Sequence, residues 1–207
     1  MWERGWSFIK KAGTIILLST IFVWFTTYFG WVDGTFQMLS EDQIDYSILA
    51  KIGNLIAWIF IPLGWGNWQA TVASITGLVA KENIVGTLGI LYGGGDLNVY
   101  QNIAVAFTGI TGYSFLVFNL LDSPCLAAIT TMNKELGSRK WLWFAIIFQN
   151  VFAYAMTFMI YQFGLVLIMG EAFTGMTAAA CVVALIMLYM MFRPAPKAKE
   201  SLRSVNA

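Results

Sequence analysis

Histidine does not occur in the 207 residues, so no imidazole can shuttle protons or ligate a metal within this chain. Cysteine is reduced to Cys125 and Cys181, each in or beside an apolar run and without paired spacing, which argues against a disulfide framework and against a zinc motif. Any metal or acid-base site must therefore use carboxylate, thiolate, thioether, hydroxyl or backbone carbonyl. Charged residues make up only 11%, and the net charge of +1 points to no nucleic-acid partner, because in such a chain the position of each charge matters more than the sum. No small-residue cleavage site follows the first apolar run, so it does not read as a cleavable signal.

What fills the sequence instead is apolar: hydrophobic residues are 58% and aromatics 16%. Such a composition belongs to an all-α polytopic membrane protein embedded in the lipid bilayer. A basic-aromatic segment, WERGWSFIKK, occupies residues 2–11 and reads as an interfacial anchor, so residues 1–11 are set apart from the transmembrane domain at 12–192. Within that domain the apolar runs predict spans at about 12–29, 48–63, 69–92, 101–121, 141–163 and 174–192. The acidic stretch 30–46 reads as a loop and GGGD at 93–96 as a turn. The apolar run at 124–136 is too short to cross and is expected to form a re-entrant or interfacial helix. A tail at 193–207, with Pro194, Pro196 and scattered basic residues, is expected to be disordered and cytoplasmic.

With about six crossings, Arg4, Lys10, Lys11, Lys134, Arg139, Lys140, Arg193, Lys197, Lys199 and Arg203 share one side. The rule that lysine and arginine stay inside makes that side, and both termini, cytoplasmic. Asp33, Glu41, Asp42, Asp45, Asp96 and Glu171 fall opposite, with Lys51 the near exception.

Ionisable groups at bilayer depth are costly and tend to mark function. The first such group is GLVAKE at 77–82, placed near the middle of the third predicted span. Lys81 and Glu82 are adjacent, so they project about 100° apart on a helix and must each find a partner elsewhere. An ion pathway and an interhelical ion pair that only locks the bundle are both open readings. The second is NLLDSPCLAAITTMNKELG at 119–137. Ser123 is a natural N-cap and Pro124 fits the first helical position, which places Cys125 in the first turn, where the helix dipole favours a thiolate. Asp122 and the free carbonyls ending the preceding span at residues 119–121 can offset a cation there. Met132 lies about 10 Å further along the same face, so it is a later station on a soft-ligand path or simply packing. Thiolate, carboxylate and carbonyl together suit a borderline divalent ion, ferrous iron better than magnesium or calcium. Cys125 as a small buried packing residue is the plainer alternative, and Cys181 is read only that way. Gln149, Asn150, Tyr154 and Gln162 line a cavity or hydrogen-bond between helices.

Three blocks, WSFIKKAGTIIL at 6–17, GLVAKENIVGTLGILY at 77–92 and SPCLAAITTMNKELGSRKW at 123–141, resemble the second Gate region and C-terminal end of the FeoB ferrous iron transporters. The resemblance implies ferrous iron (Fe2+) transport across the bacterial cytoplasmic (inner) membrane. It also implies Cys125 and Glu82 as the metal-handling residues, and the residues read above place Asp122, Ser123 and Met132 along the same ion pathway. A family member joins its membrane part to a GTPase domain, which binds GTP and Mg2+, and to a first Gate region. Neither is expected in this sequence, which contains no GxxxxGKS or GxxxxGKT phosphate loop and therefore reads as no enzyme by itself. The chain is accordingly expected to be a C-terminal fragment or split-off half, working with those parts, with small cytoplasmic accessory proteins, or as a homo-oligomer. The competing readings are a structural membrane subunit and a Gate-type transporter of another solute. An intramembrane thiol enzyme is disfavoured because Cys125 has no evident base.

Overall fold

The structure is a computed structural model that describes residues 2–32, 34–93 and 98–193. Its helices are α1 (Trp2–Tyr28), α2 (Ile48–Ala57), α3 (Trp68–Val79), α4 (Asn83–Leu91), α5 (Val99–Ala106), α6 (Gly109–Leu121), α7 (Leu126–Leu136), α8 (Arg139–Leu167) and α9 (Gly175–Phe192). The stretch read as a loop at 30–46 holds more order than its acidic composition suggests. Strands β1 (Phe29–Val32) and β2 (Thr35–Met38) pair antiparallel, Phe29 opposite Met38, and a 3-10 helix follows at Glu41–Tyr46. Stacked rings of Phe25, Phe29 and Phe36, at 4.5 and 5.7 Å, tie this hairpin to the end of α1.

By length and composition α8 and α9 can each cross a membrane, and little of either is covered by the rest of the chain. Two bent pairs, Ile48–Leu63 with Trp68–Val79 at 97° and Val99–Ala106 with Gly109–Leu121 at 95°, raise the number of candidate spans to four if each is one span. The helical membrane class is as expected, and the last two spans begin and end within a few residues of the sequence-based limits. Helix α1 runs unbroken through residue 11, so the interfacial segment is part of the first long helix. Most of the turn read at 93–96 and nearly all of the tail read at 193–207 lie outside the described residues.

The third span is where the sequence reading fails. An unbroken helix over 69–92 would hold Thr76 and Thr87 about 16 Å apart. Their hydroxyls meet at 3.1 Å, because α3 stops at Val79 and α4 folds back along it. Gly77 makes this possible: a Cβ there would stand 2.6 Å from the Ile84 side chain. Lys81 and Glu82 therefore lie at the tip of a helical hairpin, not in the middle of a crossing helix. Apolar periodicity cannot register this, since both arms of the hairpin are apolar.

The second span ends in a 3-10 turn, Trp58–Leu63, with Pro62 inside it and Gly64 in the left-handed region at φ 92°. Such a break exposes carbonyls that need donors in an apolar setting. Tyr154 Oη donates to the Ile59 carbonyl at 2.7 Å, Gln162 Nε2 to Pro62 at 3.1 Å, and Ser114 Oγ to Leu63 at 2.6 Å. Tyr154 and Gln162 thus take the interhelical role left open above, while Asn150 bonds the carbonyl of Ile146 on its own helix at 2.9 Å. Beneath the break, Trp65 stacks on Phe60 at 4.3 Å and meets Phe115 and Phe118 edge-on at 5.2 Å. Fully buried Ala70, Ala73 and Ala153 let α3 and α8 approach this aromatic core closely. The core holds the C-terminal half of α6 against α3, which positions the site described next.

Candidate functional site

Helix α6 ends at Leu121, where the Asp122 N–H still bonds the Phe118 carbonyl at 2.8 Å. Two residues later Pro124 offers no N–H to continue the ladder, so the last carbonyls of α6 are left to find other donors. A helix C-terminus carries partial negative charge and suits a cation. That cation is Lys81: its Nζ donates to the Asn119 carbonyl at 2.8 Å and to Asp122 Oδ1 at 2.6 Å. The tip of the α3–α4 hairpin and the end of α6 are thereby joined through one ammonium. The pair is lopsided, because the Asp122 side chain is 3% exposed and that of Lys81 36%. Short contacts with a carboxylate and a carbonyl together are the strong, charge-assisted kind.

The other candidates are distributed around this junction. Ser123 is buried, but it does not cap α7. Cys125 is the N-cap, with extended backbone at φ −61° and ψ 161° and no side-chain cap bond. The link from α6 to α7 takes four non-helical residues, Asp122 to Cys125, and Pro124 favours extended backbone at Ser123. The expected cap therefore moves two residues on, and Cys125 sits at the mouth of the helix instead of in its first turn. Met132 is half-buried on α7. Glu82 is exposed, and its side chain makes no hydrogen bond or ion pair among the described residues. Among those residues no group of three or more histidine, cysteine, aspartate or glutamate side chains is placed to hold a metal. Glu82 and Cys125 are accordingly not assembled into a ready-made metal site. What the sequence reading missed was the partnership of Lys81 with Asp122. Its signal was present, since a lysine inside an apolar segment needs an anion and Asp122 stands at the next helix break.

Beside the junction a cleft of about 570 Å3 opens between α7 and α8, reaching Ser123 at one side and Asn133, Arg139 and Asn150 at the other. A second cleft, of about 650 Å3, lies at the opposite end of α6 along Gly109, Tyr113 and Gly164 and is lined mainly by apolar groups.

Comparisons with known proteins match the sequence to one family. The Gate family, described as nucleoside recognition, matches residues 9–139, which include both helix breaks. Fe(2+) transporter FeoB of Methanocaldococcus jannaschii is 37% identical over 165 residues, covering 79% of this chain and 24% of that protein. Fe(2+) transporter FeoB of Staphylococcus aureus strain MSSA476 is 34% identical over 163 residues, again 79% of this chain and 24% of the relative. A Fe(2+) transport protein A/Fe(2+) transporter FeoB fusion protein of Porphyromonas gingivalis is 26% identical over 210 residues, covering 80% of this chain and 24% of its own length. The chain thus spans about a quarter of the length of these relatives. No solved structure matches it. The chain belongs to the Gate family and is similar, over most of its length, to one segment of FeoB ferrous iron transporters.

Proposed function

We propose that the chain forms part of the membrane pathway for ferrous iron in a FeoB-type transporter of the bacterial cytoplasmic membrane. The observation that carries this reading is the meeting of two broken helices around a charged pair, with a carboxylate and the Asn119 carbonyl gathered on one cation. Similarity to Fe(2+) transporters over 79% of the chain supplies the ion. In this reading Asp122 and the Asn119 carbonyl form one station and Cys125, at the cap of α7, the next. Ser123 and Met132 line the way and Glu82 recruits the ion at the exposed edge. Cys125 and Glu82 also contact the metal directly, each in turn and not together. The transmembrane domain occupies 12–192 between the N-terminal segment 1–11 and a cytoplasmic tail at 193–207.

Energy is proposed to come through GTP and Mg2+ bound by a GTPase domain of the same transporter, with a first Gate region completing the path. The fusion relative, which joins a transport protein A to FeoB, suggests a small accessory protein of that kind as partner. An even number of crossings, six in the sequence count, places both termini in the cytoplasm. Arg139 and Lys140 at one end of α8, Glu171 beyond its other end and Arg193 after α9 fit that orientation.

The family's description as nucleoside recognition favours a second reading, transport of a nucleoside by the same fold. Uptake of radioactive ferrous iron and of a labelled nucleoside, by cells producing the transporter or not, separates the two. Iron uptake alone is expected, reduced at least about tenfold by Cys125→Ser and by Glu82→Gln and unchanged by Cys181→Ser, because only the first two sites handle charge in the path. Nucleoside uptake without iron uptake would replace the reading, and full activity of both site variants at normal membrane levels would remove their assignment.

A further inference from the structure

Lys81 does more at this junction than neutralise a neighbour. Its ammonium stands where an ion would stand: against the buried carboxylate of Asp122 and the Asn119 carbonyl, at the negative end of α6. Asn119 supplies a further oxygen. Its side chain is 7% exposed, its amide nitrogen bonds the Phe115 carbonyl at 2.8 Å, and its Oδ1 is buried without a hydrogen-bond partner. That oxygen faces α3 at Gly77, 3.8 Å from where a Cβ would stand, four residues before Lys81. Ser74 Oγ, three residues before Gly77 on the same helix, is likewise buried and unpartnered. The carboxylate and backbone carbonyl that hold the ammonium, with a buried amide oxygen left over on the same turn of α6, are oxygen groups of the kind an oxygen-preferring divalent cation takes.

We propose that the Asp122–Asn119 cluster is a cation-binding site whose resident occupant is the Lys81 ammonium, so that Lys81 is a tethered counter-ion that a divalent cation displaces. The unequal exposure of the pair supports displacement. The carboxylate is enclosed at 3%, whereas the lysine at 36% can swing outward from the hairpin tip without unpacking the core. The ammonium then closes the site to loosely held monovalent ions and keeps Asp122 from standing unpaired between occupants. No bond is made or broken: one cation is exchanged for another on the same oxygens.

The purpose of such a site rests on the transport reading, but its existence is tested without transport. The full chain, in detergent, is titrated with Mn2+ while free Mn2+ is followed by electron paramagnetic resonance. Lys81→Met is expected to bind Mn2+ at least about tenfold more tightly than the wild type, because a competing positive charge within about 4 Å has gone. The gain should vanish in Lys81→Met with Asp122→Asn and be absent in Lys81→Arg. If Lys81→Met is unfolded alone but folds with Mn2+, the cation has taken the place of the ammonium and the site stands. A Lys81→Met affinity equal to wild type, or a gain that survives Asp122→Asn, overturns it. If Lys81→Met stays unfolded with Mn2+, Lys81→Gln decides: Asp122-dependent tightening upholds the site and wild-type affinity removes it. Asp122-dependent Mn2+ binding in a protein that imports no iron would uphold the site and reject the transport reading, and iron import without that binding would do the reverse.

Discussion

Two charges come together at Lys81 and Asp122 because each is carried past the end of a helix and neither can be left alone in apolar surroundings. Breaking such a buried pair from one side leaves an uncompensated charge, whereas removing both can be nearly neutral. Lys81→Met and Asp122→Asn should therefore each lower stability by about 3 kcal/mol, the low end of that range because the lysine is half open, and the double variant by clearly less. Thermal unfolding of the four proteins in one detergent measures the coupling, and strictly additive losses would show that the pair is not a unit. The need for a partner was legible at Lys81, whereas Glu82, expected to need one too, is exposed at the hairpin tip and its side chain has none among the described residues. Which partner Lys81 takes was not legible, because it depends on α3 turning back at Ala80, a tertiary event. Cys125 was legible as a helix-mouth thiol, though two residues out of register, since Ser123 is the better cap by residue type and the length of the link decides otherwise.

At the scale of elements the breaks matter more than the spans. Helices α8 and α9 could be read from apolar length alone, because nothing interrupts them. The bends at Pro62 to Gly64 and at Phe107 to Thr108 had proline or glycine nearby but gave no sign of their angle; at the first, side chains of α6 and α8 hold the bend by claiming the freed carbonyls. Gly64 is the tightest of these positions. It has φ 92°, and a Cβ on it would run into the ring of Tyr161 on α8. Gly64→Ala should cost about 2–3 kcal/mol, combining backbone strain with overpacking. Tyr161→Leu in the same chain should recover the overpacking share only. An unfolding midpoint for Gly64→Ala equal to wild type would mean that the 3-10 turn is not held against α8 as described.

For the whole molecule, the scarcity of charge is what makes the few charges informative. Basic residues at the start of α8 and after α9, with Glu171 between those helices, fit the proposed orientation. Lys81 and Asp122 join the tip of the α3–α4 hairpin to the break after α6. Fold class and family were legible from composition and from three sequence blocks. The doubled-back α3–α4 pair was not, since a hairpin of two apolar arms has the same hydropathy as one long span. Ferrous iron uptake by the transporter carrying Asp122→Asn, compared with Asp122→Glu at equal membrane levels, tests most directly whether the junction lies on the ion path. Uptake should fall at least about tenfold in Asp122→Asn, as expected when a functional charge at membrane depth is removed, and be partly retained in Asp122→Glu. Wild-type uptake by Asp122→Asn would contradict the junction as a station for the ion.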